Sequence, residues 1–306
     1  MTTVASDPVA SGPGEMPGDL TSPTTGGRRV KDVLFRLFLI ASVLFALGML
    51  ATLLFDLFFD GRSRLNMDLV RNMPSARPAR AGIQSAIWGS LWVVGTTAVL
   101  SLPLGVAAAL YLEEFAHKDR WYNRLIELNI QNLAGVPSVV YGILGLAFVA
   151  RGPLDLGFTV LTAALILTMV VLPTVVIASR EAIRAVPKSL RDGGLALGAT
   201  KWQTVSRQVL PSAVPGIATG SILATSRALG ESAPLLLLGA LTFVTFNPEG
   251  FDSKYTVLPL QIFRYISDAK DEFRPVAAAA AIVLLVFLIV MNSIAILVRN
   301  RYQRKW

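Results

Sequence analysis

Two opposite charges, Arg227 and Glu231, interrupt an otherwise apolar run from Ser212 to Phe246. Four-residue spacing puts both on one face of a helix. On a rise of ~1.5 Å per residue, Arg227 falls about 22 Å from the start of the run, close to the middle of a bilayer. Inserting each charge costs roughly 2.5–3.5 kcal/mol, so each calls for a partner, a wet cavity or a ligand. The chemistry this suits is the passage of an oxyanion. A guanidinium fork matches tetrahedral oxygens, and a carboxylate beside it orients the fork and limits its hold on the anion. The alternative is a structural ion pair that locks two helices. Pro234 follows within a turn and removes a backbone donor, which predicts a kink or break beside the charges.

A second polar interruption is milder. The stretch Gly135-Val136-Pro137-Ser138-Val139-Val140-Tyr141-Gly142 should break regular helix at Pro137, with Ser138 and Tyr141 sharing a polar side as candidate pathway residues. Simple close packing of small residues is an equal alternative.

A third feature is a basic, polar segment between two apolar runs. Pro187 should end one helix, and Ser189 to Asp192 has the form of a capping box for the next. Gly198 is placed to end that helix in a left-handed turn. Thr200 to Gln203 repeats the capping pattern and opens a short amphipathic helix, on which Trp202, Val205 and Val209 share a face, with Pro211 as its expected stop. A helix, a glycine turn and a second helix with an exposed aromatic form a knob suited to a groove on another protein.

Other chemistry has little support. His117 lies in a charged loop with Glu113, Glu114 and Asp119 and reads as solvated. There is no Gly-x-x-x-x-Gly-Lys-Ser/Thr loop for nucleotide phosphates, so an ATP-driven process would need its ATPase on another polypeptide. The absence of cysteine excludes disulfides and thiol chemistry.

The elements that position these residues are membrane spans. At 53% hydrophobic and 16% charged, the 306-residue chain is too apolar for an ordinary soluble protein. Runs long enough to cross a bilayer occur at Leu37 to Phe55, Ala86 to Leu112, Leu128 to Ala150, Leu156 to Ser179 and Val276 to Val298, with Ser212 to Phe246 as the sixth. The expectation is an all-α membrane protein of six transmembrane helices in one permease domain, residues 30–306. Residues 1–29 form a tail rich in Pro, Gly, Ser and Thr and expected to be disordered. The apolar run after the tail is too long for a signal-peptide core, so it is expected to be retained.

The net charge of +8 needs no nucleic acid to explain it. Bases cluster at Arg28, Arg29 and Lys31, at Lys118, Arg120 and Arg124, between Arg180 and Arg207, and from Arg299 to Lys305. All four clusters fall on one side of a six-span arrangement, which makes that side, and both termini, cytoplasmic in a cell membrane. The loop carrying Arg62, Arg64, Arg71, Arg77 and Arg80 falls on the other side and is the exception.

The segment Asp192-Gly193-Gly194, three residues, Gly198, nine residues, then Gln208-Val209-Leu210-Pro211 resembles the cytoplasmic coupling loop of ABC-importer permeases. It departs from that pattern in Asp-Gly-Gly for Glu-Ala-Ala and in Gln208 for isoleucine. Gly135 to Gly145, Arg227 to Leu236 and Leu258 to Phe263 are similar to signatures of the phosphate-specific members, and more to the PstA-type than to the PstC-type subunit. The resemblance implies type I importer architecture, with residues 180–211 as coupling loop and Asp192, Gly193, Gly194, Gly198, Trp202, Leu210 and Pro211 as ATPase-coupling residues. It also implies a second homologous permease subunit, a cytoplasmic ATPase dimer, an extracytoplasmic phosphate-binding protein and inorganic phosphate as cargo. No cofactor is then bound by this chain, with ATP and magnesium on the partner ATPase. Arg227 and Glu231 match the family's transmembrane arginine and glutamate, and Arg180 with Glu181 is a possible second pair. An importer of another oxyanion, an ion-coupled secondary transporter and a non-transporting scaffold are the competing functions.

Overall fold

The computed structural model describes residues 26–117, 119–238 and 243–302. Most of the expected N-terminal tail, residues 1–25, lies outside the described residues. The chain divides into two units at Phe55. The first holds most of α1 (Gly26–Gly61), an apolar helix whose described side chains up to Phe55 are exposed, as a lipid-facing span requires.

The second unit begins with a folded loop containing the short helix α2 (Met67–Arg71). It continues through α3 (Gln84–Leu110), α4 (Trp121–Ala134), α5 (Ser138–Leu144) and α6 (Val160–Arg184). Next come α7 (Lys188–Ala196), α8 (Lys201–Thr204), α9 (Leu210–Gly230), α10 (Ala233–Leu237), α11 (Leu258–Ile266) and α12 (Arg274–Tyr302). Among the described residues, three π-type turns extend or join these helices, at Tyr111–Phe115, Gly145–Ala150 and Val205–Val209.

Among the described residues, five helical stretches are long and apolar enough to cross a membrane, and α4 with α5 makes a sixth only as a pair bent by 103°. The apolar run Leu128 to Ala150 is therefore two helices, broken at Pro137 as the sequence led one to expect. Gly135-Val136-Pro137 separates them because proline disfavours helix in the residue before it. The fourth span differs from expectation. It runs from Val160 to Arg184, which places Arg180 inside the helix.

At the centre is α6, with buried residues along its whole length, packed between α3 and α9. Gly216 and Gly220 bring α9 up against Ala182 and Ala178, a small-residue contact that stands in for the missing hydrophobic drive between helices in lipid.

The ends of the helices separate cleanly. At one end Ser85 Oγ donates to Val244 O, Leu258 N donates to Ser90 Oγ and Val160 N donates to Ser253 O. The arginine-rich loop belongs to this end: buried Tyr265 donates to Gly82 O at 2.7 Å, and burial pushes its pKa up to about 12. Arg64 explains part of that loop's basic charge, because its guanidinium donates to Pro78 O, Ala79 O and Ala81 O and ties the loop to itself. At the other end lie the C-termini of α3, α6 and α12 together with α7 and α8.

Candidate functional site

The helix bearing Arg227 begins far from it. Thr200 caps α8 with the reciprocal Thr200 and Gln203 bonds expected from the sequence, and the helix then runs on to Gly230. Pro211 does not stop it. The π-type turn just before carries an i→i−5 bond from Leu210 N to Val205 O, and this widened register lets the helix pass a residue that has no N–H.

The helix does end beside the charges, as Pro234 predicted. Glu231 is its C-cap in extended conformation, and α10 restarts at Ala233 with Pro234 in its first turn. Residues 239–242, inside the expected sixth run, lie outside the described residues. The depth of the break can be read from α12. Ser226 Oγ bonds Asn292 Oδ1 at 2.5 Å. On ~1.5 Å per residue, Asn292 is about 27 Å from Arg274 and about 15 Å from Tyr302, so the break lies within the apolar layer.

Arg227 Nε and Glu231 Oε2 are 3.9 Å apart, beyond hydrogen-bonding distance, and the side chains are 49% and 16% exposed. Among the described residues this is the only ion pair of either group. The arrangement is a loosely held fork, half open, at the point where the backbone changes direction.

The second broken span meets the first here. Gly142 of α5 packs directly on Pro234, where a β-carbon would strike the Pro234 backbone, and Ser138, one turn earlier, shares that face. Tyr141 does something else. It is buried, and its hydroxyl donates at 2.9 Å to Leu133 O at the end of α4, a carbonyl that also accepts from Val136 N at 3.2 Å.

Arg180 and Glu181 do not pair. Arg180 points inward to Glu127 Oε1 at 2.8 Å and Glu113 Oε2 at 3.5 Å, whereas Glu181 meets Arg184 at 3.2 Å on the exposed side. Adjacent residues on a helix diverge by about 100°, which sends the two charges to different neighbours.

The hairpin at the opposite end from the arginine-rich loop keeps the expected helix, glycine turn and helix, but besides the passage through Pro211 it differs at its start. Pro187, with no side-chain cap, precedes α7, so Ser189 lies inside the first turn and closes no capping box. Gly198 has φ of +81°, the left-handed turn the sequence called for. Gly194 is buried where a β-carbon would meet Thr204 and Gln208, so α7 lies flat on the start of the long helix. Gly193 and Asp192 are exposed, while Leu197 is 87% and Trp202 60% exposed. Leu210 and Pro211 open α9. Polar hairpins do not leave leucine and tryptophan in water without reason, and this pattern suits a docking surface.

Glu113, Glu114, Glu127 and Arg191 were missed as participants. The available signal was a pair of carboxylates next to the end of an apolar run, opposite a cluster of bases. Glu113 and Glu114 are each 8% exposed and ion-paired, while His117 in the same loop is exposed, as expected.

Residues 101–304 match the family described as "Binding-protein-dependent transport system inner membrane component". The chain is 35% identical over 208 residues to a probable ABC transporter permease protein, YqgI, of Bacillus subtilis, covering 68% of this chain and 70% of that one. It is 34% identical over 220 residues to the phosphate transport system permease protein PstA 1 of Mycobacterium tuberculosis, covering 71% and 70%. Among solved structures, a bacterial alginate ABC transporter superposes with a TM-score of 0.65 at 18% identity, covering 87% of this chain and 93% of that one. The MetNI methionine ABC transporter superposes with a TM-score of 0.59 at 16% identity, covering 72% and 95%. Sequence and architecture agree, and the chain belongs to the inner membrane components of binding-protein-dependent transport systems, with the helical fold of a type I ABC importer permease.

Proposed function

We propose that this chain is one of two permease subunits of an ATP-driven importer of inorganic phosphate. The observation that carries the reading is Arg227: a half-exposed guanidinium within the apolar layer, held by one ion contact of 3.9 Å at a helix break. Such a charge is not stable against lipid tails, so its open side faces a second chain or a wet path. A fork with unengaged donors recognises a tetrahedral oxyanion, and Glu231 keeps the contact from becoming a trap. The phosphate-transport names of the PstA relatives favour phosphate over other oxyanions. The remaining parts follow from the family. An extracytoplasmic binding protein delivers phosphate to the end that carries the arginine-rich loop. A cytoplasmic ATPase dimer, with the ATP and magnesium, docks on the Gly198 hairpin. Both chain termini lie on the ATPase side.

The test is uptake by the reconstituted complex with radiolabelled phosphate, sulfate and molybdate. Phosphate alone should be driven by ATP. Arg227→Gln should abolish uptake while the complex still assembles, and Arg227→Lys should also be poor, since an ammonium cannot form paired hydrogen bonds. If the pair were structural, either single change would strand a buried charge at a cost of about 3–5 kcal/mol, and the double change to Gln at 227 and 231 would restore function. A double variant that assembles and transports normally would refute the pathway role.

A further inference from the structure

Two buried carboxylates at the hairpin end have no part in the pathway proposed above. Glu113 and Glu114 occupy the π-type turn Tyr111–Phe115 that closes α3. Glu113 faces α6, where Arg184 Nε and Nη2 donate to its two oxygens at 3.1 Å each. Glu114 faces α7, where Arg191 Nε and Nη2 donate to its Oε1 at 2.9 and 2.7 Å.

The same arginine does more. Its Nη1 donates to Val186 O at 2.6 Å, just past the end of α6, and its Nη2 to Ile183 O at 2.8 Å in the last turn of that helix. All three guanidinium nitrogens of Arg191 are thus engaged, with the end of α3 and the end of α6, and none with α7 itself. On its other side α7 lies against α8 through Gly194, and α8 leads without interruption to Arg227. The exposed groups of the hairpin, Asp192, Leu197 and Trp202, are different residues from the ones that grip it.

We propose that Arg191 and Glu114 form a transmission latch: the contact through which a displacement of α7 reaches α3 and α6 as well as α9. Arg191 is a positioning residue for the transport cycle, distinct from the surface that docks the ATPase. A short helix joined to α6 only through residues 185–187 would yield when pushed, whereas one pinned by four charge-assisted hydrogen bonds moves its neighbours with it. This inference rests on the ABC-permease reading.

The experiment uses the full transporter in liposomes, with radiolabelled phosphate inside the assay and two readouts: ATPase retained on the purified complex, and phosphate imported per ATP hydrolysed. Glu114→Gln and Arg191→Lys should retain the ATPase and hydrolyse ATP, yet import about tenfold less phosphate per ATP, in line with a coupling energy of ordinary size. Glu114→Asp, which keeps the charge, should recover part of the loss. Normal import per ATP in an assembled Glu114→Gln complex overturns the latch. Failure of both Glu114→Gln and Glu114→Asp to assemble also overturns it, because the pair would then serve folding alone. Absence of ATP-driven uptake by the unmodified complex would instead overturn the permease reading, and that result is visible before any variant is made.

Discussion

The Tyr141 hydroxyl is committed to Leu133 O, and this fixes what its removal should do. Tyr141→Phe removes one donor from a carbonyl that still accepts from Val136 N, and should cost at most about 1 kcal/mol of stability. Phosphate uptake by the folded fraction should stay within about twofold of normal, because the ring still fills its place in the buried core that also holds Ala163 and Leu167. Thermal unfolding in detergent alongside liposome uptake checks both statements. Abolished uptake at unchanged stability would return Tyr141 to the pathway. Arg227 is the counterpart. Its single contact at 3.9 Å leaves the fork available, so its replacement should remove transport and spare the fold. At this scale burial and hydrogen bonding separate the two residues, whereas sequence showed only that each was a polar group in an apolar run.

Among the elements, the hairpin around Gly198 was the most legible part of the chain, because capping and glycine turns act within a few residues. Thr200 with Gln203 and the left-handed Gly198 are local chemistry and appear as expected. Where a distant register intervened, local rules failed. Pro211 is passed by a π-type turn, and α7 begins directly after Pro187 without help from Ser189. Arg180 finds Glu127 rather than its sequence neighbour because α4 folds back beside α6, a fact of packing with no local signature. Gly198 gives the test for this element. With φ of +81°, a β-branched residue there costs roughly 1–2 kcal/mol, and asparagine less. Gly198→Val should insert in the membrane yet lose most of its bound ATPase, with Gly198→Asn intermediate, as measured by co-purification. Equal retention by all three proteins would remove the hairpin from the docking site.

For the molecule as a whole, the span pattern was legible from apolar runs alone, since a bilayer imposes length on every crossing segment. The bend of 103° between α4 and α5 was visible only as Gly135 and Pro137, with no measure of its size. Sidedness can be tested because the chain has no cysteine of its own. Single cysteines at the exposed positions Ser63 and Ser267 should react with an impermeant thiol reagent added outside, and one at exposed Ser189 should not. Reaction of position 63 only from within would reverse the orientation. The unbroken helical path from Lys201 to Gly230 has a thermodynamic consequence of its own. It carries Trp202 near one end and Arg227 near the other, about 38 Å apart at ~1.5 Å per residue. If seating the ATPase at Trp202 alters the affinity for an anion at Arg227 by some factor, linkage requires the anion to alter the affinity for the ATPase by the same factor. Phosphate is then an effector of its own engine: titrated onto the permease without nucleotide, it should shift the concentration at which the ATPase lets go.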